Sequence, residues 1–411
     1  MRLQGIPCNQ ERQVKMNYDL LFVFLFYGFI IYYFFKTRPK WTVQGKIFAM
    51  YRTSLGLKLM DKISKKFPTL LKILGKLSVI IGFLGMGFIF YFLIMGTYNL
   101  VFVPKSIPAL APVLPGIKIP GLPTMSFWHW IISIFIVAVI HEFSHGVYSK
   151  LYKVPVKSSG FAFLGPILAA FVEPDEKILV KKSNLHQIEI FSAGPFSNIL
   201  LGLVFFFIIG FVTTPIQSNL FESTGIIVNT VMENQPAFNA GLKTPFTITE
   251  INGKATNDIK SFLEATSNIK PGHKVSLVTL DAPYNIIAGE NPDNKSKGFI
   301  GISNFDLDTK VKPEIESKYG SFLPAAFSWI NMLFFWIFVV SIGIGLFNLL
   351  PLGPVDGGRM FYSGLLVLFR NNEVRAKKIW SFFTMLCLFL IFINLVPYLY
   401  KLLIFIFNLF V

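Results

Sequence analysis

Only two cysteines occur in the 411 residues, Cys8 and Cys387, at opposite ends of the chain and in unrelated surroundings. They exclude a disulfide framework and a thiolate metal site. Charge is scarce as well: 15% of residues are charged against 53% hydrophobic, with 46 phenylalanines. No ordinary soluble domain is so apolar, and the composition belongs to multispanning membrane proteins. Acids are scarcer than bases, which leaves a formal net charge of +16. That surplus does not point to nucleic acid. It lies in short loops beside apolar runs, as the positive-inside rule predicts, and no basic patch is interleaved with aromatics. A signal-peptide cleavage site is also missing. The apolar run Asp19–Phe35 follows a polar stretch and precedes no small-residue site, and Met16 offers an alternative start just before it.

Against this background, Ile131–Lys150 (IISIFIVAVIHEFSHGVYSK) stands out: a nearly unbroken apolar run closing on His141-Glu142-Phe143-Ser144-His145. In a helix, residues four apart share a face, so both imidazoles converge on one point with Glu142 beside them. H-E-x-x-H on a helix is the pattern of zinc proteases: two ligands and a carboxylate that takes a proton from water. The bland alternative is a chance pentapeptide whose polar groups are satisfied by helix neighbours. A charged Glu inside an apolar run is expensive, which weighs against that alternative.

The rest of the chain organises around this run. Leu20–Phe35 is a first span, and the eleven basic residues from Lys36 to Lys76, against the single acid Asp61, predict a cytoplasmic loop. Leu77–Val103 then runs outward, the Pro- and Gly-rich Pro104–Thr124 is an extracytoplasmic loop, and Phe127–Tyr148 returns inward. Gly160–Val172, broken at Gly165-Pro166, is too short to span and is expected to be a re-entrant or hairpin segment; a short amphipathic surface piece is the alternative. Ile188–Val212 is a fourth span carrying Gly194 and Asn198 on one side. Asn198 is either interhelical glue at a tight crossing or an amide aimed at the active site. Ala325–Phe369 is one span interrupted at Asn348–Arg359, and Ile379–Val411 is one span or a hairpin bent near Pro397.

Between the spans, Gln217–Gly320 changes character, with 12 acids against 10 bases and turns at Asn252-Gly253 and Pro271-Gly272. It is expected to be a soluble domain of roughly 90–100 residues with its own small core. Strands are predicted at Gly225–Thr230, Phe246–Ile251, Val275–Leu280 and Phe299–Ile302, and helices at Pro236–Ala240 and Asp258–Thr266. Four blocks result: 1–126 with N-terminal spans and loops, 127–216 and 321–411 as two parts of a catalytic core, and 217–320 as the inserted soluble domain. The fold class is a polytopic α-helical membrane protein of about six to seven spans with an inserted α+β domain.

Two histidines leave a tetrahedral zinc short of a third protein ligand and a water. The carboxylates deep in apolar sequence are Glu142 and Asp356, with Glu189 marginal. Asp356 lies on broken backbone near the cytoplasmic end of its span, at the depth of the histidine pair. Taking it as third ligand leaves Glu142 free as general base and acid and gives both buried carboxylates a partner. An N-cap for a helix starting at Gly357 is the plainer role for Asp356.

His141-Glu142-x-x-His145, Gly194-x-x-x-Asn198 and Asn348-x-x-Pro351-x-x-x-x-Asp356-Gly357, in this order and topology, resemble the site-2 protease family of intramembrane zinc proteases. The resemblance covers roughly Phe127–Val212 and Ala325–Phe369. It implies one Zn2+ per chain held by His141, His145 and Asp356, water activation by Glu142, and oxyanion stabilisation by Asn198. It also implies that Asn348, Pro351 and the segment around Gly165 hold an extended substrate beside the metal. The soluble insert resembles a bacterial PDZ domain in its G-I-x-V strand, Gln235-Pro236-Ala237, Ala240-Gly241-Leu242, Ile251-Asn252-Gly253 and Pro271-Gly272; Lys243–Thr247 departs from that pattern. Such domains bind peptides by strand addition, so peptide capture and exclusion of bulky ectodomains are its two expected roles.

The function expected on these grounds is hydrolysis of peptide bonds within single-span membrane proteins, in a prokaryotic plasma membrane. The active site would face the cytoplasm and the PDZ-like domain the outside, with the lipid bilayer as a partner and no nucleic acid. The ligand types fit zinc, with iron and cobalt as rivals. The alternatives are a transporter or channel whose broken helix and buried acids form an ion path, with an outer peptide-binding module, and a membrane-anchored zinc protease acting on soluble substrates. The absence of an internal repeat weighs against the transporter, and the motif's place inside an apolar run weighs against the anchored enzyme.

Overall fold

The computed structural model describes residues 18–38, 41–44, 48–104, 106–115, 117, 119, 122–164, 167–292 and 294–410. The first helix, α1 (Tyr18–Lys36), is followed by two strands, β1 (Trp41–Gln44) and β2 (Phe48–Thr53), and by the amphipathic α2 (Leu57–Lys66). These lie where a basic connecting loop was expected. α3 (Pro68–Phe102) starts at Pro68 rather than Leu77, because a proline at the first helical position has its φ already set for a helix. α4 (Phe127–Leu151) is opened by Ser126, whose hydroxyl accepts from the His129 N–H, and it carries the H-E-x-x-H pentapeptide in its last three turns.

β3 (Val156–Leu164) and β4 (Ile167–Pro174) form an antiparallel strand pair over the expected Gly160–Val172 segment; it joins the first two strands in a sheet of order β1-β2-β3-β4. Gly160 is required there, because a Cβ would meet the Tyr51 carbonyl of β2 and the Phe171 ring of β4. After α5 (Glu176–Leu179), α6 (Asn184–Ile208) runs through a π-helical turn at Ile209–Thr213 into α7 (Thr214–Leu220), a continuous helical stretch longer than the expected Ile188–Val212.

The insert contains β5 (Phe221–Val231), α8 (Pro236–Asn239), β6 (Phe246–Ile251), β7 (Lys254–Ala255), α9 (Ile259–Ser267), β8 (Lys274–Thr279), β9 (Pro283–Ile287), β10 (Gly289–Glu290), β11 (Gly298–Phe299), β12 (Ile302–Val311) and α10 (Pro313–Tyr319). Five strands order as β12-β5-β6-β8-β9, with β7 pairing β6 and a separate β10-β11 ribbon. The expected strand at Phe299–Ile302 is divided between β11 and the long β12, since Gly301 at φ +83° turns the chain between them. The core of this sheet is Ile226, Val228, Ile248, Ile251, Phe262, Val275, Leu277 and Ile286, all at most 2% exposed. Asp258 and Ser261 cap α9 reciprocally, each side chain bonded to the other's backbone N–H.

Three helices complete the chain: α11 (Phe322–Phe347), α12 (Asp356–Leu368) and α13 (Glu373–Phe410). α13 runs through Pro397 as one helix, so the C-terminal hairpin is not formed. The chain folds into two compact units, one of Met1–Ile117, Thr124–Leu203 and Trp336–Val411, the other of Lys118–Pro123 and Val204–Phe335. Among the described residues, five helical stretches are long and apolar enough to cross a membrane: Pro68–Phe102, Phe127–Leu151, Asn184–Leu220, Phe322–Phe347 and Glu373–Lys401. α1 is apolar too, but shorter. In the first unit, small and polar side chains hold helices together: Ser78 and Ser192 share a hydrogen bond of 2.7 Å, and Asn394 bonds both Thr97 and the backbone N–H of Ala109.

Candidate metal centre

The backbone break between α11 and α12 explains why Asp356 reaches the histidines. Asn348-Leu349-Leu350-Pro351 leaves the helix, and the chain folds back so that the Gly357 N–H donates to the Asn348 carbonyl at 2.7 Å. Gly357 and Gly358 permit this close return; a Cβ on either would collide with backbone carbonyls of Leu349, Leu350 or Leu352. Asp356 is thus the first residue of α12, capped by Val355 with no side-chain cap bond, so its carboxylate is not the helix cap. Instead Oδ2 lies 2.9 Å from His141 Nε2 and 3.3 Å from His145 Nε2, and the two Nε2 atoms are 3.1 Å apart.

Among the described residues, these three side chains form the His, Cys, Asp and Glu group close enough to hold a metal. Zinc takes nitrogen and oxygen ligands at about 2.0–2.1 Å, which places tetrahedral ligand atoms about 3.3 Å apart. The observed triangle needs only a few tenths of an ångström of expansion. The surroundings fit as well. His145 Nδ1 donates to the Ile190 carbonyl at 2.7 Å; a carbonyl only accepts, so the proton sits on Nδ1 and Nε2 keeps its lone pair for an ion. Gly194 leaves the space: a Cβ there would sit 2.7 Å from His141 Nε2 and closer still to His145 Nε2.

Glu142 stands apart from the triangle. Its Oε2 accepts the backbone N–H of Val172 in β4 at 3.0 Å, and it borders a cavity of about 110 Å3 walled by Thr53, Met60, Ser159, Phe161 and Phe171. Asn198, fully buried, places its amide 3.0 Å from His141 Nδ1, and its backbone carbonyl accepts from Ser341. Asn348 contributes its main chain to the fold-back. Pro351 lines a separate apolar cavity of about 820 Å3 between α3, α6, α12 and α13, which none of His141, His145 and Asp356 borders. Gly165 lies outside the described residues. Val172 was not singled out from the sequence, since a backbone N–H contacting Glu142 leaves no compositional trace. Glu189 is buried away from the triangle, where it accepts from the Tyr152 hydroxyl.

The model of peptidase family M50 matches residues 129–391, which hold His141, Glu142, His145, Asn198 and Asp356. The chain belongs to this peptidase family. Its relatives include an uncharacterized protein of Methanocaldococcus jannaschii, 29% identical over 83% of this chain and 85% of that one. A Fusobacterium nucleatum protein provisionally named a zinc metalloprotease is 24% identical over 62% of this chain and 92% of its own length. The zinc metalloprotease RasP of Shouchella clausii is 24% identical over 56% of this chain and 62% of its own. As an M50 peptidase the chain has a donor set in keeping with the metal in its relatives' names: two imidazoles and one carboxylate on a shared face.

Proposed function

We propose that this M50 peptidase is an intramembrane zinc endopeptidase that cleaves single-span membrane proteins within their spans. The observation that carries the proposal is the convergence of His141, His145 and Asp356, with Glu142 on the same helix, on helices apolar enough to cross a membrane. When bound, zinc supplies Lewis-acid polarisation of a peptide carbonyl and a water of lowered pKa. Glu142 lies beside the histidines on α4, with Oε2 fixed by the Val172 N–H. Its remaining oxygen takes the proton from the attacking water and delivers it to the leaving amine.

A helical peptide bond hides its carbonyl in backbone hydrogen bonds, so a substrate span must unwind before attack. β4 is an edge strand of the β1–β4 sheet and touches Glu142 at Val172, which supports an extended substrate lying along it. Asn348 and Pro351, at the fold-back, are the further positioning groups the motif resemblance brings to this picture. The basic loops support a cytoplasmic active-site end and an extracytoplasmic insert. The insert's small sheet and three short helices, with its PDZ-like motifs, support peptide capture or exclusion of large ectodomains, with exclusion preferred. The bilayer of a prokaryotic plasma membrane is the expected setting.

The test is cleavage of a fluorescent single-span substrate by detergent-purified protein, with products located by mass spectrometry. Cuts inside the span, abolished by chelation and restored by zinc, are expected. Cuts confined to the flanks would assign a membrane-anchored protease of soluble substrates instead. Protein that binds no metal would move the assignment to a transporter.

A further inference from the structure

Resting on this metalloprotease reading, we infer that Asn198 is a positioning residue for the metal: its side-chain oxygen accepts the Nδ1 proton of His141 and so presents Nε2 of that imidazole as a bare ligand. Both metal-ligating histidines then have a dedicated outer partner, a backbone carbonyl for His145 and a side chain for His141.

The argument begins with proton accounting. A neutral imidazole has one proton and one lone pair shared between its two nitrogens, so ligation through Nε2 requires the proton on Nδ1. That Nδ1–H needs an acceptor. The group beside it is the Asn198 amide at 3.0 Å, on a side chain with no exposed surface. With Nδ2 turned to the ring, two donors would face each other, while Oδ1 is buried with no hydrogen-bond partner. The oxygen and nitrogen of an amide differ too little for their placement to be more than an assignment, and a half-turn about the last side-chain torsion exchanges them in place. The exchanged orientation puts Oδ1 on His141 Nδ1–H. The opposite tautomer, with the proton on Nε2 toward Asp356 Oδ2 at 2.9 Å, would use up the lone pair that ligation requires.

The backbone secures the amide in reach. Asn198 lies on α6 one turn beyond Gly194, which rests against the two imidazoles; Gly345 of α11 leaves room for it, since a Cβ added there would stand 3.2 Å from the Asn198 Cβ, and Ser341 bonds its carbonyl at 2.8 Å. A side chain so placed by three contacts acts on His141 without touching substrate. This gives Asn198 a role different from oxyanion stabilisation, which would need its N–H groups rather than its oxygen.

The experiment measures zinc affinity by chelator competition on metal-stripped, detergent-purified full-length protein, with zinc alone as probe, for the wild type, Asn198→Asp and Asn198→Leu. Aspartate keeps the acceptor and has no donor; leucine has neither. Asn198→Leu is expected to bind zinc 10- to 100-fold more weakly, the usual loss for an outer-shell partner, and Asn198→Asp to bind at least as tightly as the wild type. Zinc binding by Asn198→Leu equal to the wild type would overturn the inference while leaving the metalloprotease reading intact. So would a matching loss in Asn198→Asp, which exposes a requirement for the amide donor. A wild type that binds no zinc would overturn both.

Discussion

Replacing Gly194 with alanine tests the geometry of the metal centre without removing a ligand. The added methyl carbon would sit 2.7 Å from both Cε1 and Nε2 of His141, where ordinary contact begins at 3.4 Å, so that ring must retreat by about 0.7 Å. His145 must yield further. Metal sites tolerate errors of about 0.2 Å in ligand distance, so the displacement exceeds what zinc accepts by roughly threefold. Overpacking a well-packed site costs typically about 1–3 kcal/mol. Expressed through the metal, a loss of about 100-fold in zinc affinity, near 2.7 kcal/mol, is the expected outcome. Metal content by mass spectrometry and zinc affinity by chelator competition provide the readouts, with far-UV circular dichroism to show that helices persist. Gly194→Ala protein with wild-type zinc affinity and cleavage would refute the claim that α6 abuts the ligand atoms.

Two further changes probe the scaffold. Asn394→Leu strands the Ala109 N–H and removes the donor to the Thr97 hydroxyl, which keeps only its own bond to the Leu93 carbonyl, and is expected to cost about 0.6–2 kcal/mol of thermal stability in detergent while zinc content stays at one per chain. In the insert, the backbone N–H of Ser261 holds the Asp258 carboxyl below its ordinary value of 3.8. A depressed carboxyl stabilises the fold above its unfolded pKa and loses that contribution as pH falls through the folded one. Asp258→Ala should therefore lower Tm by a few degrees at pH 7, and the gap to the wild type should close at acid pH, as followed by calorimetry.

The parts of the centre that were legible in the sequence are those where polar residues interrupt apolar runs. His141, Glu142, His145 and Asp356 were visible because each is costly where it stands, and two histidines four apart on a helix share a face by geometry alone. The sequence left Asp356 between a third ligand and a helix cap; the fold-back at Gly357 brings its carboxylate to the two imidazoles, and it caps no helix. Strands β1 and β2 were missed because Arg52 and the lysines of the surrounding sequence read as topology signals; Arg52 in fact pairs with Glu173 across the sheet. Pro397 marked a possible bend, yet α13 continues through it, since an apolar helix loses little more than one hydrogen bond there. The partners of the site side chains were the least legible. Ile190 and Val172 act through backbone atoms, whose identity the side-chain alphabet does not record, and Asn198 was visible only as an amide with two possible uses.

Glu142→Gln tests the central claim most directly. Gln retains the size of Glu142 and can still meet the Val172 N–H, but it cannot take a proton, so zinc content should match the wild type while cleavage of the single-span substrate falls by at least about 10²–10⁴-fold. Wild-type cleavage by Glu142→Gln, with zinc bound, would contradict the account.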